Sequence, residues 1–412
     1  MTIFYSIGYA AYKWAVQLAS IVNPKAKKWV EGRSHIFSDL EGISTSDKII
    51  WIHAASMGEY EMARPVMERL KVEAPDHKIL VSFFSPSGYE SRKADPAHDY
   101  ACYLPHDYRR NAAEFIQHVQ PVMAVFVKYE FWPNILTACF ENDIPVNLIS
   151  ATFRKDHFIF SAFGKPIQKL LKKFTVISVQ DETSESLLLE KGFANVTRTG
   201  DGRFDNVLKL AETEYNRPEL EAFIDYRQSL IAGSCWREDE DVVLPQIMAH
   251  TSLAVILVPH DVSESNIVRL MKRLPAPAYR WSQRSQIENP GEYRVLVVDT
   301  IGELRAMYSH ASIAFVGGGY KTGLHNILEP ASYSVPVFFG PVHHKFWEAQ
   351  EMINAGGAQE IENPKTFTKA LNTLVMYPQK ATEMGARARN FVEKHAGAGR
   401  AITELLLPQL RS

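Results

Sequence analysis

Short apolar runs alternate with amphipathic stretches from residue 49 onward, and this rhythm restricts the fold more than any other feature. The runs are rich in β-branched and aromatic residues and are too apolar to leave one face in water. Such strands are typical of a parallel sheet that is covered by helices on both faces. In the first half the predicted strands are 48–54, 78–84, 121–127, 144–150 and 174–180, and the predicted helices include 59–73 and 109–119.

The same rhythm begins again after residue 205, beyond a polar segment at 211–227 that contains no clear strand. The second set of predicted strands is 229–234, 253–259, 294–299, 312–318 and 335–340, and the chain then ends in predicted helices. A chain of 412 residues is long enough for two hydrophobic cores. We therefore expect two Rossmann-like, doubly wound α/β domains. The expected divisions are an N-terminal segment 1–33, a domain 34–205, and a domain 206–412 that includes the terminal helices.

Charge and cysteine content exclude several classes of protein. The formal net charge is −2, which argues against a general nucleic-acid binder. The cysteines Cys102, Cys139 and Cys235 are scattered and odd in number, so they predict neither a disulfide framework nor a metal site. A reducing cytosol fits this usage.

The N-terminal residues 3–22 are mostly apolar and aromatic, unlike the rest of the chain. Lys13 in the middle makes a membrane span costly, and no small-residue cleavage signature completes a signal peptide. Basic residues follow at Lys25, Lys27, Lys28 and Arg33. The pattern predicts a helix that lies in the membrane interface, with its basic flank against anionic lipid. The alternative is an amphipathic helix that packs on the protein itself.

Ligands of doubly wound sheets bind beyond the carboxyl ends of the strands, so candidate residues are sought directly after each apolar run. Glu59 lies in "HAASMGE" (53–59), where the first crossover helix begins. A carboxylate there is stabilised by the helix dipole, which would be a purely structural role. The alternative is a general base that takes a proton from a hydroxyl.

Glu130 follows the strongest apolar run of the first half, and aromatic neighbours partly shield it from water. Charged groups in such places are usually paired or functional, so Glu130 is predicted to be a site residue. Arg203 in "GDGRFD" (200–205) is its expected partner. A salt bridge between the domains is the alternative role for Arg203.

The stretch "FVGGGYKTGLHNILEPASYSVPVFFGP" (315–341) carries the strongest signal. Asn326 and Glu329 fit an N-cap and N3 pair, with Pro330 in the first turn. A capping box does not account for the glycines at 317–319 and 323. We therefore predict that a phosphate lies near Gly318 and the helix start, with Glu329 on ribose hydroxyls. Ser234, Pro259 and His260 are predicted to line the same pocket.

Metal binding is not expected. "DED" at 239–241 has the acid-x-acid spacing of some metal-dependent glycosyltransferases, but it opens a predicted helix, where acids are common. His343 and His344 lack a third ligand nearby, and His53 is predicted to be a packed, hydrogen-bonded histidine. Neither a Walker loop nor G-x-G-x-x-G occurs, which argues against kinases and dehydrogenases.

These motifs resemble, in the same order, those of the 3-deoxy-D-manno-octulosonic acid (Kdo) transferases of lipopolysaccharide synthesis. The similarity runs over nearly the whole chain and is carried by "HAASMGE", "SPSGYE", "YLPHD", "YEFWPN", "FVGGGYKTGLHNILEPA" and "VPVFFGP". The resemblance implies a GT-B fold, with two Rossmann-like domains facing an interdomain cleft. It also implies CMP-Kdo as donor without a metal, a lipid A precursor as acceptor, and a position on the cytoplasmic face of the inner membrane.

The resemblance further implies a role for each candidate residue. Glu59 would be the proton acceptor of an inverting transfer, and Glu130 and Arg203 would stabilise the transition state. CMP would be held by Pro259, His260, Ile301, Gly302, Glu303, Asn326, Ile327, Leu328 and Glu329. Ser234 and Gly318 complete the predicted donor pocket.

Three positions depart from the pattern of the family. His260 stands where relatives usually have Arg, Arg203 where they have Lys, and Leu324 where they have a second glycine. His260 is expected to make the phosphate contact weaker or pH-dependent, whereas Arg203 keeps the charge and changes the geometry. None of the three changes removes the proposed base or the ribose-binding Glu329. Two other functions stay open. The chain could be another GT-B enzyme that uses or epimerises a UDP- or GDP-sugar, or a non-catalytic nucleotide-sugar-binding protein at the membrane.

Overall fold

The computed structural model describes residues 2–321 and 323–411, so Met1, Thr322 and Ser412 lie outside the described residues. The chain forms two compact units that divide between Asn206 and Val207, beside the predicted boundary at 205. The first unit also takes in the residues from His395 onward.

The first unit contains a parallel seven-stranded sheet with the strand order β3-β2-β1-β4-β5-β6-β7. Its central strands carry the longest apolar runs, and they are buried on both faces as predicted. The strands are β1 Lys48–His53, β2 His77–Phe83, β3 Tyr100–Tyr103, β4 Pro121–Val127, β5 Val146–Ala151, β6 Val176–Val179 and β7 Val196–Arg198.

Helices of the first unit alternate with these strands, as doubly wound folds require. They are α1 Thr2–Ala19, α2 Pro24–Gly32, α3 Ile36–Asp39, α4 Met57–Glu73, α5 Pro86–Arg92, α6 Arg109–Val119, α7 Pro133–Glu141, α8 Lys165–Leu171 and α9 Glu182–Glu190, with short 3-10 turns at Phe158–Phe160 and Ala162–Gly164. Helix α10, Gly202–Ala211, contains the division between the units.

The second unit repeats the architecture with the strand order β10-β11-β9-β8-β12-β13-β14, again all parallel. Its strands are β8 Ser229–Cys235, β9 Ala254–Pro259, β10 Ala278–Arg280, β11 Val295–Val297, β12 Ile313–Val316, β13 Val337–Phe339 and β14 Ala358–Glu360. Its helices are α11 Pro218–Ile224, α12 Arg237–Ala249, α13 Glu264–Arg273, α14 Leu304–Tyr308, α15 Leu328–Ser332, α16 Trp347–Asn354, α17 Pro364–Met376 and α18 Pro378–Lys394, with 3-10 turns at Trp281–Gln286 and Pro290–Glu292.

The strands that the apolar pattern missed are β3, β7, β10 and β14, which are the edge strands of the two sheets. Each has three or four residues and is only partly buried. An edge strand pairs on one side and needs no continuous apolar run, because part of its surface faces water. Periodicity therefore finds the interior of each sheet and overlooks its margins.

The C-terminal helix lies with the first unit, and its assignment to the second domain was wrong. Helix α19, Ala398–Leu406, is followed by a 3-10 turn at Leu407–Leu410. Asp205 caps this helix by accepting from the Gly397 and Ala398 amides at 3.0 and 3.1 Å. Gln409 and Asn147 of β5 exchange two amide hydrogen bonds of 3.0 Å. The apolar pattern of a helix does not indicate which sheet the helix covers.

Helix α1 has one face on the first unit and one face in solvent. Tyr9 is buried, bonds to His106 Nδ1 at 3.2 Å and packs edge-on against Tyr108 and Trp132. On the exposed face the large side chains are Ile7, Trp14 and Leu18, and Ile21 and Val22 continue it. Among the residues that the structure describes, no helix is long and apolar enough to cross a bilayer.

Candidate active site

The carboxyl ends of β1 and β4 lie side by side in the first unit, because β1 pairs with β4 as well as with β2. The chain leaves β1 through residues 54–56 into α4, which carries Glu59 near its start. It leaves β4 through Lys128 and Tyr129 to Glu130. The topology therefore brings both predicted glutamates to one edge of one sheet.

Glu59 occupies position N3 of α4 and forms a capping box with Ser56. The Glu59 carboxylate accepts from the Ser56 amide at 3.1 Å, and the Ser56 hydroxyl accepts from the Glu59 amide at 3.5 Å. Burial, followed by the negative charge of Glu130, raises the pKa of Glu59 to about 7. The nearby Lys128 ammonium and the backbone bonds oppose that shift. The capping role and a role as a base thus belong to the same side chain.

Glu130 is held by two donors from the surrounding core. The indole N–H of Trp132 donates to Glu130 Oε2 at 2.8 Å, and His53 Nε2 lies 3.2 Å from the same oxygen. His53 is the last residue of β1 and is fully buried. His53 was predicted to be packed and hydrogen-bonded, and it is; that its partner is Glu130 was not predicted.

Lys128 is a residue that the sequence reasoning missed. It lies directly after β4 with φ of 63°, a left-handed conformation that is uncommon for residues other than glycine. Such conformations concentrate at functional sites. Its positive charge favours the ionised form of Glu59 and so opposes the rise in the pKa of that carboxyl. The available signal was its place directly after the apolar run, the criterion that selected Glu130.

Arg203 forms a close ion pair with Asp201. Its Nη2 lies 2.7 Å from Asp201 Oδ2, and its Nε donates to the same oxygen at 2.8 Å. The predicted partner was Glu130, whose own contacts are His53 and Trp132. Arg203 lies at the start of α10. A Cβ on the preceding Gly202 would clash with the Met62 carbonyl oxygen of α4, so the start of α10 packs closely against α4.

In the second unit the neighbouring strands β9, β8 and β12 bring together most of the predicted donor-binding residues. Ser234 lies in β8 with φ of 55°, Pro259 ends β9, and Gly318 follows β12 with φ of 89°. The His260 amide donates to Cys235 O at 2.9 Å. These residues therefore share one edge of the second sheet.

The consecutive glycines 317–319 have a packing role. A Cβ on Gly317 would lie 2.5 Å from Ser234 O, and a Cβ on Gly319 would lie 2.6 Å from Gly340 N. A side chain there would therefore force the backbones of neighbouring strands apart. The prediction that the glycines admit a phosphate stays a prediction, since close backbone packing also requires them.

Asp239 joins the start of α12 to the consecutive glycines 317–319, here called the glycine loop. It is fully buried, and its Oδ2 accepts from the Trp236 amide at 2.7 Å and from the Gly318 amide at 2.9 Å. Burial raises the pKa of Asp239. This residue is the first acid of "DED", which was predicted to open a helix, as it does; its bond to the Gly318 amide was not predicted.

The remaining acids of that motif are also accounted for by the protein. Glu240 pairs with Arg269 at 2.5 Å and with Arg273 at 2.7 Å, and Asp241 pairs with Arg273 at 2.6 Å. Within residues 2–321 and 323–411, no group of three His, Cys, Asp or Glu residues could hold a metal ion.

Three aromatic rings form a stack beside the glycine loop. Trp236 and His260 lie 4.2 Å apart between ring centroids, and His260 and His325 lie 4.7 Å apart. Trp236 Nε1 donates to His325 Nε2 at 3.1 Å. Burial lowers the pKa of His260, and burial with the nearby His260 lowers that of His325 to about 4, so burial favours the neutral form of both rings. A cavity of about 330 Å³ beside Trp236 is also lined by Asn266 and Lys321.

The predicted capping box at Asn326 is wrong in its register. Helix α15 begins at Leu328, so Ile327 is the N-cap and its side chain makes no cap hydrogen bond. Asn326 Oδ1 accepts from the Leu328 amide at 3.1 Å, and Asn326 Nδ2 donates to Glu329 Oε1 at 3.3 Å. The turn around Asn326 thus orients Glu329, although α15 has only five residues.

The segment Ile301, Gly302 and Glu303 lies just before α14. A residue of α14 lies close to Glu329. Arg305 of α14 has Nη2 3.9 Å from Glu329 Oε1. Ile301 is exposed, and Glu303 accepts from Arg217 Nη2 at 3.3 Å. Glu303 also lines a cavity of about 460 Å³.

The chain is similar to known proteins over most of its length. Residues 28–206 match a family model described as 3-deoxy-D-manno-octulosonic-acid transferase (kdotransferase). The 3-deoxy-D-manno-octulosonic acid transferase of Haemophilus influenzae is 29% identical over 388 residues, which cover 88% of this chain and 87% of that protein. The enzyme of the same name from Aquifex aeolicus is 27% identical over 348 residues, covering 82% of this chain and 89% of that protein.

A solved structure extends the comparison to the fold. The UDP-GlcNAc 2-epimerase of Neisseria meningitidis, solved with UDP-GlcNAc bound, superposes with a TM-score of 0.59 at 16% identity. The match covers 88% of this chain and 100% of that protein. With the two seven-stranded parallel sheets, it confirms the GT-B fold predicted from the sequence.

Proposed function

Since the chain belongs to the 3-deoxy-D-manno-octulosonic acid (Kdo) transferase family, we propose that it moves Kdo from CMP-Kdo to a hydroxyl of a lipid A precursor. The transfer inverts the configuration of the anomeric carbon. The observation that carries the proposal is the pair of carboxylates at one sheet edge. Glu59 has a pKa near neutrality, whereas hydrogen-bond donors hold Glu130.

These two environments suit two different tasks. A base must release and accept a proton near the working pH, so a carboxylate with a pKa of about 7 is well matched to deprotonating a sugar hydroxyl. As the bond to CMP breaks, positive charge develops on the sugar, and a fixed carboxylate stabilises that charge. We assign the first task to Glu59 and the second to Glu130, with Arg203 as a cation for the anionic donor.

We assign binding of the donor, CMP-Kdo, to the second unit. Its predicted contacts to CMP are Ser234, Pro259, His260, Ile301, Gly302, Glu303, Gly318, Asn326, Ile327, Leu328 and Glu329. Departure of CMP leaves a single phosphate to stabilise, which backbone amides and side-chain donors accomplish without a metal. His260 stands where relatives have arginine, and because burial lowers the pKa of its imidazole in the free protein, it brings less positive charge to the phosphate than an arginine would.

Calorimetry tests the choice of donor. The protein is titrated with CMP, UDP and GDP, and CMP is expected to bind most tightly. Binding of CMP should weaken by roughly tenfold in Glu329→Ala, because a hydrogen bond to a charged group is lost. A clear preference for UDP or GDP would contradict CMP-Kdo and favour a nucleotide-diphosphate sugar as the substrate.

The pH dependence of the reaction follows from Glu59. A general base acts in its deprotonated form, so kcat/KM is expected to fall about tenfold per pH unit below pH 7 and to level off above it. The measurement is the rate with limiting donor between pH 5 and 9. A rate that is flat through pH 7 would show that Glu59 does not titrate in the step measured.

The acceptor is a lipid, so we propose that the protein works at the cytoplasmic face of the inner membrane. The exposed face of α1 carries Trp14 and Leu18, and Lys25, Lys27 and Lys28 follow it. Apolar side chains that enter the lipid interface, together with a basic flank that faces anionic headgroups, would bind the protein to that surface.

Substitution of the exposed face tests this attachment without disturbing Tyr9, the residue of α1 that is buried on the first unit. The double variant Trp14→Ser, Leu18→Gln is expected to lower partition into vesicles of anionic phospholipid by at least about tenfold, since two large apolar groups no longer leave water. Val72→Gln, at a more exposed apolar position on α4, is the control. Unchanged partition of the double variant would place the attachment elsewhere.

A further inference from the structure

His53 is fully buried and bonded at both ring nitrogens. Its Nδ1 lies 3.0 Å from the Ser82 carbonyl oxygen and 2.9 Å from Ser82 Oγ, and its Nε2 lies 3.2 Å from Glu130 Oε2. Ser82 Oγ in turn accepts from Trp51 Nε1 at 2.8 Å. A continuous set of hydrogen bonds therefore runs from the core of the first sheet to a carboxylate of the candidate site.

The chemistry of the partners fixes the proton at Nε2. An ionised carboxylate accepts hydrogen bonds and cannot donate them, so His53 must donate from Nε2 whenever Glu130 is charged. In the neutral ring Nδ1 then accepts from the Ser82 hydroxyl, and only in the imidazolium does it donate to the Ser82 carbonyl. Both arrangements leave the same N–H directed at Glu130.

We propose that His53 is a positioning residue, whose Nε2–H holds the Glu130 carboxylate in the orientation that stabilises the transition state. This inference rests on the proposed function, in which Glu130 faces the developing positive charge of the sugar. A carboxylate that is already oriented does not have to reorganise as charge develops. Trp132 supplies the second donor to the same oxygen, at 2.8 Å, so Glu130 Oε2 is constrained from two directions.

The position of His53 explains why the constraint is rigid. His53 ends β1 and is paired with Ser82 in the register of β1 with β2. Phe126 and Trp132 pack edge-on against its ring, with centroids 5.9 and 6.2 Å away. Groups held on strands and locked by packing position a site more accurately than groups on loops.

Two substitutions separate positioning from simple packing. Gln at residue 53 places an amide N–H near the position of Nε2, whereas Asn reaches only as far as Nδ1. Both replace the ring by a smaller amide and disturb the core to a similar degree. His53→Asn is expected to lower kcat about 10- to 100-fold, from loss of one hydrogen bond to a charged group, with KM for donor and acceptor nearly unchanged.

His53→Gln is expected to recover most of that loss while showing the same lowering of the unfolding temperature. The double variant His53→Asn, Glu130→Gln is expected to be no slower than Glu130→Gln alone, because His53 acts through Glu130. Equal losses of kcat in the Asn and Gln variants, or additive losses in the double variant, would overturn the proposal.

A second measurement does not depend on turnover. The infrared spectrum of each protein is compared at neutral pH with that of the same protein carrying Glu130→Gln. The difference isolates the carboxylate band of Glu130. That band is expected to shift in His53→Asn and to return toward its original position in His53→Gln. A band that is unchanged in His53→Asn would refute the contact. If wild-type protein transfers no Kdo but the band shifts, the proposed function fails while the contact stands.

Discussion

Replacing Glu59 by Gln is expected to lower kcat by about 10²- to 10⁴-fold, the range associated with loss of a general base. The amide cannot take a proton from the acceptor hydroxyl. It can still bond to the Ser56 amide, because Gln serves at N3 of a capping box as well as Glu does. The start of α4 should therefore stay intact, and CMP affinity measured by calorimetry should be unchanged.

The control for this experiment is Glu41→Gln, which removes an exposed carboxylate of the same unit and should leave kcat at the wild-type value. Glu59→Gln should also unfold at the wild-type temperature. Turnover within a few-fold of wild type in a folded Glu59→Gln protein would exclude this residue as the base and return it to its capping role alone.

The second large effect is expected on the second unit, from Asp239→Ala. This change leaves the amides of Trp236 and Gly318 without their acceptor in a buried place, which should lower the free energy of unfolding by about 2–4 kcal/mol. The glycine loop loses its connection to α12, so CMP binding should weaken as well. Urea unfolding and calorimetry measure the two effects.

Asp241→Ala provides a matched control two residues along the same helix. Asp241 is largely exposed and pairs with Arg273 on the surface, so its loss should cost less than about 1 kcal/mol. Asp239→Asn keeps an oxygen that can accept from both amides, and it should be milder than Asp239→Ala. Equal stability of the Asp239→Ala and Asp241→Ala proteins would contradict the role assigned to the buried acid.

The interior of each sheet could be predicted from the sequence because its strands are buried on both faces. The run 121–127, for example, coincides with β4. The three-residue strand β7 gave no such signal, since two of its residues are exposed. Likewise, the return of α19 to the first unit depends on contacts such as Asn147 with Gln409, which are far apart in the chain.

The candidate carboxylates could also be predicted, because parallel strands present their ends at one edge and Glu59 and Glu130 follow apolar runs. What distinguishes the two could not be predicted. The charge of Lys128 beside Glu59 and the bond from His53 to Glu130 depend on the register and side-chain directions of neighbouring strands. An amino-acid pattern contains the residues but not these directions.

The capping prediction at Asn326 shows a similar limit at shorter range. The residue types of an N-cap and N3 pair were present, yet the helix begins one residue later and Asn326 instead bonds across a turn. Asn side chains bond to nearby backbone amides in turns as readily as at caps, so composition alone does not settle the register. The two residues are nevertheless in contact, because the side-chain amide of Asn326 donates to the Glu329 carboxylate from the turn and not from an N-cap.

The central claim is tested most directly by the mass of the lipid product. The protein is incubated with a lipid A precursor in detergent micelles and with CMP-Kdo generated in situ, and the lipid is then extracted and weighed by mass spectrometry. The account predicts a lipid heavier by whole Kdo units, with one CMP released per unit, and no such product from Glu59→Gln. An unmodified lipid after incubation with folded, CMP-binding wild-type protein would contradict it.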